Sequence, residues 1–393
     1  MNKLFQVRHF LYTIFLLGLI PMFLISCVEP YDPGITDYEN VFVVDGEINN
    51  LPGPYEVKLT RSYAFDADSG ANISGAQLKI MDNNGLEVDM AEVSNGVYKT
   101  IDSSFQGVPG NSYKLHIEYE GEVYESDFEK MKTPIPIEKV YWEYKTKEYA
   151  GIDGIQLYLD TEDPANSTHF YAWDYEETWK FIVPYDVMRK PEWKVCYRHM
   201  KNYNFLIGTS TQRTGDRIER YPLLYINNNT NRLFWRYTML VRQSTLSEHA
   251  YQYFKNIITL NENQGTLFDP IPYAVMGNMK NLSHEDKPVL GYFLVTGVTK
   301  KRIFIDHEEL PDEYQPVNGF ESCMLRFLNV PLGTDLQDND QIRDMANEGF
   351  FIYSIDTVTA PGGSFLMLSL TNYSKCYKCI TLGDNKVPDY WVE

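Results

Sequence analysis

Cys27 is the residue whose position in the sequence carries the clearest chemistry. Lys3 and Arg8 give the chain a positive start, an apolar run follows over residues 10–25, and the run ends in Leu-Ile-Ser-Cys, a small-residue cleavage site closed by Cys27. This order is typical of a secretory signal peptide, here of the bacterial lipoprotein kind. It predicts removal of residues 1–26 and acylation of the Cys27 thiol and of the new amino group. The alternative is a signal anchor with a chance cysteine.

Four further cysteines could form two disulfides: Cys196, Cys323, Cys376 and Cys379. An exported chain meets oxidising conditions, and an even number of cysteines favours structural bridges, with three connectivities open. The last two cysteines also have the CxxC spacing of a redox or zinc motif, but the glycine at 383 and the proline at 388 indicate a loop, and the sequence has no second CxxC. We therefore expect two structural disulfides, with free or metal-bound thiols as the alternative.

The remaining motifs give no support to catalysis. The histidines beyond the signal peptide occur singly and lack the HExxH spacing of a zinc protease: His116, His169, His199, His249, His284 and His307. The sequence contains no GxSxG elbow, P-loop or GxGxxG fingerprint. A carboxylate pair for glycoside hydrolysis stays open, because such residues can lie far apart in a sequence. We predict no catalytic residue, no metal site and no cofactor.

Two acidic loops contain the oxygen ligands that calcium prefers. Residues 66–72 read Asp-Ala-Asp-Ser-Gly-Ala-Asn, and residues 335–340 hold a second cluster of aspartates. Neither loop has the bidentate glutamate or the spacing of an EF-hand. An ordinary turn is the favoured interpretation of the first loop.

Tryptophan is confined to the chain beyond residue 141, and Trp173, Trp179 and Trp193 are the candidates for a binding surface. Exposed aromatic rings bind sugars or peptides and dominate the energetics of protein interfaces. Aromatic residues in the core of a β-sheet protein give the same sequence pattern. Core packing is therefore the alternative for all three residues.

Composition limits the possible partners. The chain has 393 residues, is 44% hydrophobic and carries a formal net charge of −19, which becomes more negative once Lys3 and Arg8 are removed. Its length allows two or three domains with a substantial core. Its negative charge repels phosphate backbones and anionic lipid headgroups, so a nucleic-acid partner is not expected.

Alternation of apolar and polar residues predicts a mainly β fold in two domains. Residues 27–40 form a polar tether, and residues 41–133 contain short alternating segments separated by turn signals, which are typical of an immunoglobulin-like or prealbumin-like β-sandwich. Two prolines at 134 and 136 mark a boundary. Residues 134–393 form a larger β-rich domain with one or two helices.

The clearest helix begins after Ser247, a favoured N-cap, and places Ala250, Phe254 and Ile257 on one face. A weaker helical pattern covers residues 338–347.

The order of several segments resembles the DUF4249 family of Bacteroidota lipoproteins, a family of unknown function. The segments that carry the resemblance are 105–110, 237–251, 265–270, 277–278, 291–293, 301–305 and 376–391. The resemblance covers almost the whole mature chain. It implies an exported, lipid-anchored, β-rich protein of a family often associated with TonB-dependent outer-membrane receptors, and it supplies no catalytic residues.

Together these observations predict a protein held at the outer membrane by its N-terminal lipid, on either the periplasmic or the cell-surface side. We expect a non-catalytic binding or accessory role beside a TonB-dependent receptor, in nutrient capture or assembly, with specificity in the aromatic-rich second domain. A cell-surface adhesion or structural lipoprotein is the first alternative, and an exported hydrolase is the second.

Overall fold

The computed structural model describes residues 40–62, 70–146, 151–185, 190–202, 205–211, 216–262, 275–371 and 374–392. Within these ranges the chain forms 20 β-strands and two α-helices. The predicted mainly β fold with one or two helices is confirmed. The signal peptide, Cys27 and nearly all of the tether lie outside the described residues. In the described part of the chain, no helix combines the length and the apolar character needed to cross a membrane.

The first unit is a rolled sheet around an apolar core. The early strands supply most of it: β1 (Phe42–Asn49), β2 (Glu56–Arg61), β3 (Gln77–Asp82), β4 (Glu87–Ser94), β5 (Val97–Thr100), β6 (Ser112–Tyr119), β7 (Glu122–Ser126) and β8 (Glu129–Lys130). Alternate residues of β1 and β6 are buried, as the period-two pattern requires. The core includes Val44, Leu59, Ile80 and Leu115.

Two later strands complete this first unit: β16 (Met279–Asn281) and β17 (Val289–Asp306). β16 pairs with β7, and the first half of β17 runs parallel to β1. A bridge between Met276 and Leu290 brings the two ends of the sheet together. The boundary placed at residue 133 therefore divides the sequence but not the sheet, because residues 276–296 return to the first unit.

The second unit is a sandwich of two sheets. Its strands are β9 (Ile137–Lys145), β10 (Gly154–Glu162), β11 (Phe170–Ile182), β12 (Val195–Lys201), β13 (Leu206–Thr209), β14 (Arg217–Asn227) and β15 (Arg236–Thr245). One sheet has the order β14-β10-β9, and the other has the order β12-β11-β15-β17 with β13 beside β11. Leu157, Trp173 and Tyr237 lie in the core between the two sheets.

β17 joins the two units, since its second half pairs with β15. Gly291 has a φ of +92°, and a Cβ at this position would collide with the carbonyl oxygen of Val44. Only glycine combines this backbone angle with such a close approach between strands. The 18-residue strand therefore belongs to both cores at once.

Helix α1 (Glu248–Glu262) covers the junction between the units and confirms the predicted helix. The Ser247 hydroxyl accepts a hydrogen bond from the Ala250 amide at 3.0 Å and donates to the Glu129 carboxylate at 3.3 Å. Tyr292 also donates to Glu129, which is buried. Burial raises the pKa of Glu129. This polar cluster fixes the start of the helix to both units.

The third unit is a small three-stranded sheet with one helix. Its elements are β18 (Arg326–Pro331), α2 (Asp340–Asn347), β19 (Phe351–Ala360) and β20 (Gly363–Thr371), in the sheet order β18-β20-β19. Ile342 of α2 packs against Val330 and Leu368. The helix confirms the weaker helical prediction, while the separate small sheet was not foreseen within residues 134–393.

Candidate functional site

Two disulfides join the second unit, the third unit and the C-terminal segment. Cys196 on β12 is bonded to Cys379, and Cys323, just before β18, is bonded to Cys376. The Cα–Cα separations are 5.6 and 5.8 Å, within the usual range. The predicted pair of structural disulfides is confirmed, and this connectivity is one of the three that the sequence left open.

Five aromatic residues that lie near these disulfides are here called the aromatic patch: Tyr185, Trp193, Phe351, Tyr353 and Tyr377. The rings of Phe351 and Tyr377 stack with centroids 4.9 Å apart, and the rings of Tyr185 and Tyr353 are 5.0 Å apart. Phe351 is exposed, and the other four are half-buried. The patch thus connects the end of β11 with the start of β19.

Backbone contacts to the cysteines hold the patch in place. The Tyr185 hydroxyl donates to the Cys323 carbonyl at 2.7 Å, and the Tyr185 amide donates to the Cys376 carbonyl at 3.1 Å. Below the disulfides, Phe181, Val183 and Phe320 form a small apolar core. The aromatic rings are therefore mounted on a cross-linked support.

Two lysines flank the tryptophan of the patch. The Lys378 ammonium lies 4.7 Å from the Trp193 ring centroid, and the Lys190 ammonium lies 5.9 Å away. Cation–π contacts of this kind favour a ring orientation and keep the ammonium groups beside the aromatic surface. Lys190 also pairs with Glu192 at 3.6 Å, so the patch combines apolar rings with two ammonium groups, one of which is paired with a carboxylate.

The structure separates the three tryptophans chosen from the sequence. Trp173 and Trp179 are buried in the core of the second unit, which is the packing alternative. Trp193 is half-buried beside the disulfides. Sequence reasoning missed the other members of the aromatic patch: Tyr185, Phe351, Tyr353 and Tyr377. Tyr377 could have been found, because it lies inside the Cys376-Tyr-Lys-Cys379 segment.

A serine, a histidine and an aspartate meet at a cavity of about 470 Å³ in the second unit. Ser210 donates to Asp216, and His169 Nδ1 lies 3.5 Å from the Ser210 hydroxyl and 3.4 Å from an Asp216 oxygen. A catalytic relay uses one ring nitrogen for the nucleophile and the other for the acid. Here both partners meet the same nitrogen, so this cluster lacks the relay geometry.

A second cavity, of about 360 Å³, opens at the end of the first unit beside Phe42, Tyr119 and Arg61. Glu122 borders it and accepts hydrogen bonds from Lys287 at 2.7 Å and from Tyr124 at 2.6 Å. The hydrogen bond from Lys287 is the main cause that lowers the pKa of Glu122 to about 2. Both carboxylate oxygens of Glu122 therefore accept hydrogen bonds from neighbouring side chains, and these bonds stabilise the wall of the cavity.

The two acidic loops show no metal-binding arrangement in their described parts. Residues 66–69 of the first loop lie outside the described residues. In the second loop, Asp335 accepts a hydrogen bond from the Gln337 amide at 2.9 Å, and Asp340 pairs with Arg343 at 3.0 Å. Across the described ranges, no three His, Cys, Asp or Glu residues are grouped as metal ligands.

Comparison with known families gives the chain its classification. The family model described as "Domain of unknown function (DUF4249)" matches residues 28–302, which include the first unit and almost all of the second. The chain belongs to the DUF4249 family. The resemblance noted in the sequence is thereby confirmed. The third unit and the C-terminal cysteines lie beyond the matched residues of this DUF4249 protein.

Comparisons with curated proteins and with solved structures add little to this classification. No curated protein matches the sequence. Among solved structures, the chain is similar to invasin, described as a bacterial integrin-binding protein, with 11% sequence identity and a TM-score of 0.15. The match covers 84% of this chain and 54% of the invasin chain, so the chain spans about half the length of that structure. At this TM-score the likeness carries no argument about fold or function.

Proposed function

We propose that this DUF4249 protein is a non-catalytic, lipid-anchored accessory protein of the outer membrane that docks on a TonB-dependent receptor through the aromatic patch. The observation that carries the proposal is a partly exposed aromatic cluster mounted on two disulfides. Aromatic side chains supply much of the energy at protein interfaces. A cross-linked support reduces the entropy that binding must remove from the surface.

The location rests on the N-terminal sequence. The signal peptide and Cys27 predict acylation, and an acyl chain would hold the protein at a membrane without a spanning helix. The family resemblance implies a location in the outer membrane and an association with TonB-dependent receptors. An accessory protein anchored in the same membrane as its receptor needs only modest affinity, because the anchor raises the local concentration of both.

Charge indicates how the patch meets its partner. Lys190 and Lys378 place two ammonium groups beside Trp193, while the whole chain carries a formal net charge of −19. A receptor surface with apolar residues and a few carboxylates complements this patch, and the acidic remainder of the chain disfavours other orientations. We propose that docking serves nutrient capture or receptor assembly.

Site-specific cross-linking tests the proposal. A photoreactive phenylalanine analogue replaces Tyr353 in the full chain expressed in its own cells, and a second variant carries the analogue at Trp235, which is exposed outside the patch. We expect a covalent adduct with a TonB-dependent receptor, identified by mass spectrometry, from position 353 alone. Equal adducts from both positions, or no receptor adduct from position 353, would contradict the proposed role.

A further inference from the structure

A third cavity, of about 380 Å³ and here called the junction cavity, lies where the first and second units meet. Asp45 and Glu47 of β1 and Lys58 of β2 line it on the side of the first unit. Lys201 at the end of β12 and Arg242 on β15 line it on the side of the second unit. Small-molecule sites often form where two structural units face each other.

Ion pairs hold much of the cavity wall in place. Arg242 donates to Asp174 at 3.0 Å and also donates to Glu47, and its side chain is only 19% exposed. Because Glu47 belongs to the first unit and Arg242 to the second, these contacts join the two sides of the cavity. The Lys58 ammonium lies 3.6 Å from the Glu56 carboxylate. These charged groups therefore already have partners within the protein.

Two charged groups in the cavity lack such partners. Within the described ranges, neither the Asp45 carboxylate nor the Lys201 ammonium has an ion-pair or hydrogen-bond partner, and the two do not pair with each other. Asp45 lies opposite Lys58 in the pairing of β1 with β2, but the Lys58 ammonium is placed beside Glu56 instead. A carboxylate and an ammonium are thus both available to a ligand.

The surroundings of Asp45 favour a positive ligand group. Its side chain still meets solvent inside the cavity, but the neighbouring protein removes part of its hydration. This burial raises the pKa of the Asp45 carboxyl, and the nearby Lys58 ammonium only partly opposes the rise. A ligand ammonium beside Asp45 would supply the countercharge that the ionised carboxylate lacks.

The charges of the junction cavity indicate the class of ligand. Three carboxylates and three cations line it, so its formal charge is zero: Asp45, Glu47, Glu56, Lys58, Lys201 and Arg242. A ligand with a single charge would leave either Asp45 or Lys201 without a countercharge, and an uncharged sugar would leave both.

We propose that the junction cavity binds a small zwitterion, either a free amino acid or a short peptide, with its ammonium group at Asp45 and its carboxylate at Lys201. Hydrogen bonds between charged groups are stronger than those between neutral ones, so the two ends of such a ligand fix its orientation. This inference goes beyond the proposed docking function, because none of the cavity residues belongs to the aromatic patch.

Matched probes test the two charges separately. Isothermal titration calorimetry of the full mature chain compares alanine, dialanine and trialanine, which differ in the distance between their charged ends. The tightest of these is then compared with its N-acetyl form, with its C-terminal amide and with glucose. We expect saturable binding of at least one zwitterion and a loss of about tenfold or more when either terminal charge is blocked.

Variants assign each end of the ligand to its residue. Asp45→Asn should weaken binding of the zwitterion by about tenfold and abolish its advantage over the N-acetyl form. Lys201→Gln should do the same with respect to the amide. Lys58→Gln is the matched control, because this lysine lines the same cavity but already pairs with Glu56, and it should leave binding unchanged. All three positions are exposed, and equal melting temperatures would show that the variants remain folded.

Four results would overturn the inference: no saturable binding of any zwitterion, equal binding of the zwitterion and its blocked forms, equal losses in Lys58→Gln and Lys201→Gln, or tighter binding of glucose than of the zwitterions. The last result would assign the cavity to saccharides. None of these measurements involves a receptor. Their failure would therefore leave the proposed docking through the aromatic patch standing, and a failure of receptor capture would leave the junction cavity unaffected.

Discussion

Trp173 on β11 and Trp193 in the short 3-10 turn before β12 show that one aromatic residue type can have two different environments. Trp173 is completely buried, and its indole N–H donates to Gln243 at 2.9 Å. Its ring lies 4.1 Å from that of Tyr221. Trp193 is instead half-buried, and the ammonium groups of Lys190 and Lys378 lie near its ring. Sequence alone could not distinguish the buried tryptophan from the half-buried one, because burial depends on which parts of the fold pack over each residue.

Replacing Trp173 should therefore destabilise the fold. Trp173→Ala removes a fully buried ring and leaves the Gln243 side chain without its donor. We expect the free energy of unfolding to fall by about 3–5 kcal/mol, as for other large core residues. Urea denaturation followed by circular dichroism measures the change. A stability equal to that of the parent protein would contradict the assignment of Trp173 to the core.

The lowered pKa of Glu122 predicts that acid reduces the stability of the fold. The hydrogen bonds from Lys287 and Tyr124 lower the pKa of Glu122 to about 2 in the folded chain. The ionised Glu122 side chain therefore adds fully to the free energy of unfolding above its unfolded-state pKa of about 4.5. That contribution is lost as the pH falls through this window toward 2. Glu122→Gln should reduce the drop in melting temperature between pH 5 and pH 2.5. Glu120→Gln, at an exposed neighbouring position, is the control and should retain the drop.

At the scale of elements, strands and helices were predictable but their partners were not. Alternation identified the early strands, and the Ser247 cap with its apolar face identified α1. The parallel pairing of β1 with β17 joins residues more than 240 positions apart, and no local pattern specifies such a pairing. The same limit applied to the cysteines, since the pairing of Cys196 with Cys379 depends on how the C-terminal segment lies against β12.

The disulfide between Cys323 and Cys376 should hold the third unit and the aromatic patch in place. Replacing both cysteines by serine opens a cross-link with a sequence separation of 53 residues and removes the support beneath Tyr185. We expect a loss of about 2–4 kcal/mol in the free energy of unfolding. Hydrogen exchange should become faster in residues 326–371 and stay unchanged in β1 and β2. Faster exchange throughout the chain would show that this bridge serves the whole fold instead.

At the scale of the whole molecule, the shared strand β17 makes the two larger units interdependent. The sequence indicated a boundary near residue 133, between a β-sandwich domain and a larger β-rich domain. A fragment of residues 28–133 lacks the core side chains Met279, Val289 and Phe293. A fragment that begins at residue 134 leaves the first half of β17 without its partner β1.

We therefore expect neither fragment to fold by itself. Each should show broad, poorly dispersed amide signals in nuclear magnetic resonance spectra, and mixing the two should restore dispersion if they associate through β1 and β17. Gly291→Val, which blocks the close approach of these strands, should prevent the restoration. A fragment of residues 28–133 with the sharp, dispersed spectrum of a folded protein would contradict the shared-strand architecture.

Copurification from solubilised outer membranes is the direct test of the proposed docking between the aromatic patch and a TonB-dependent receptor. The full chain, Trp193→Ala and Trp235→Ala are compared at equal amounts, with the bound receptor quantified by mass spectrometry. Loss of a central aromatic anchor amounts to about 2 kcal/mol, or roughly a thirtyfold loss of affinity. We expect Trp193→Ala to stay folded and lose the receptor, while Trp235→Ala retains it. Equal retention by both folded variants, or the absence of any receptor with the parent chain, would contradict docking through the aromatic patch.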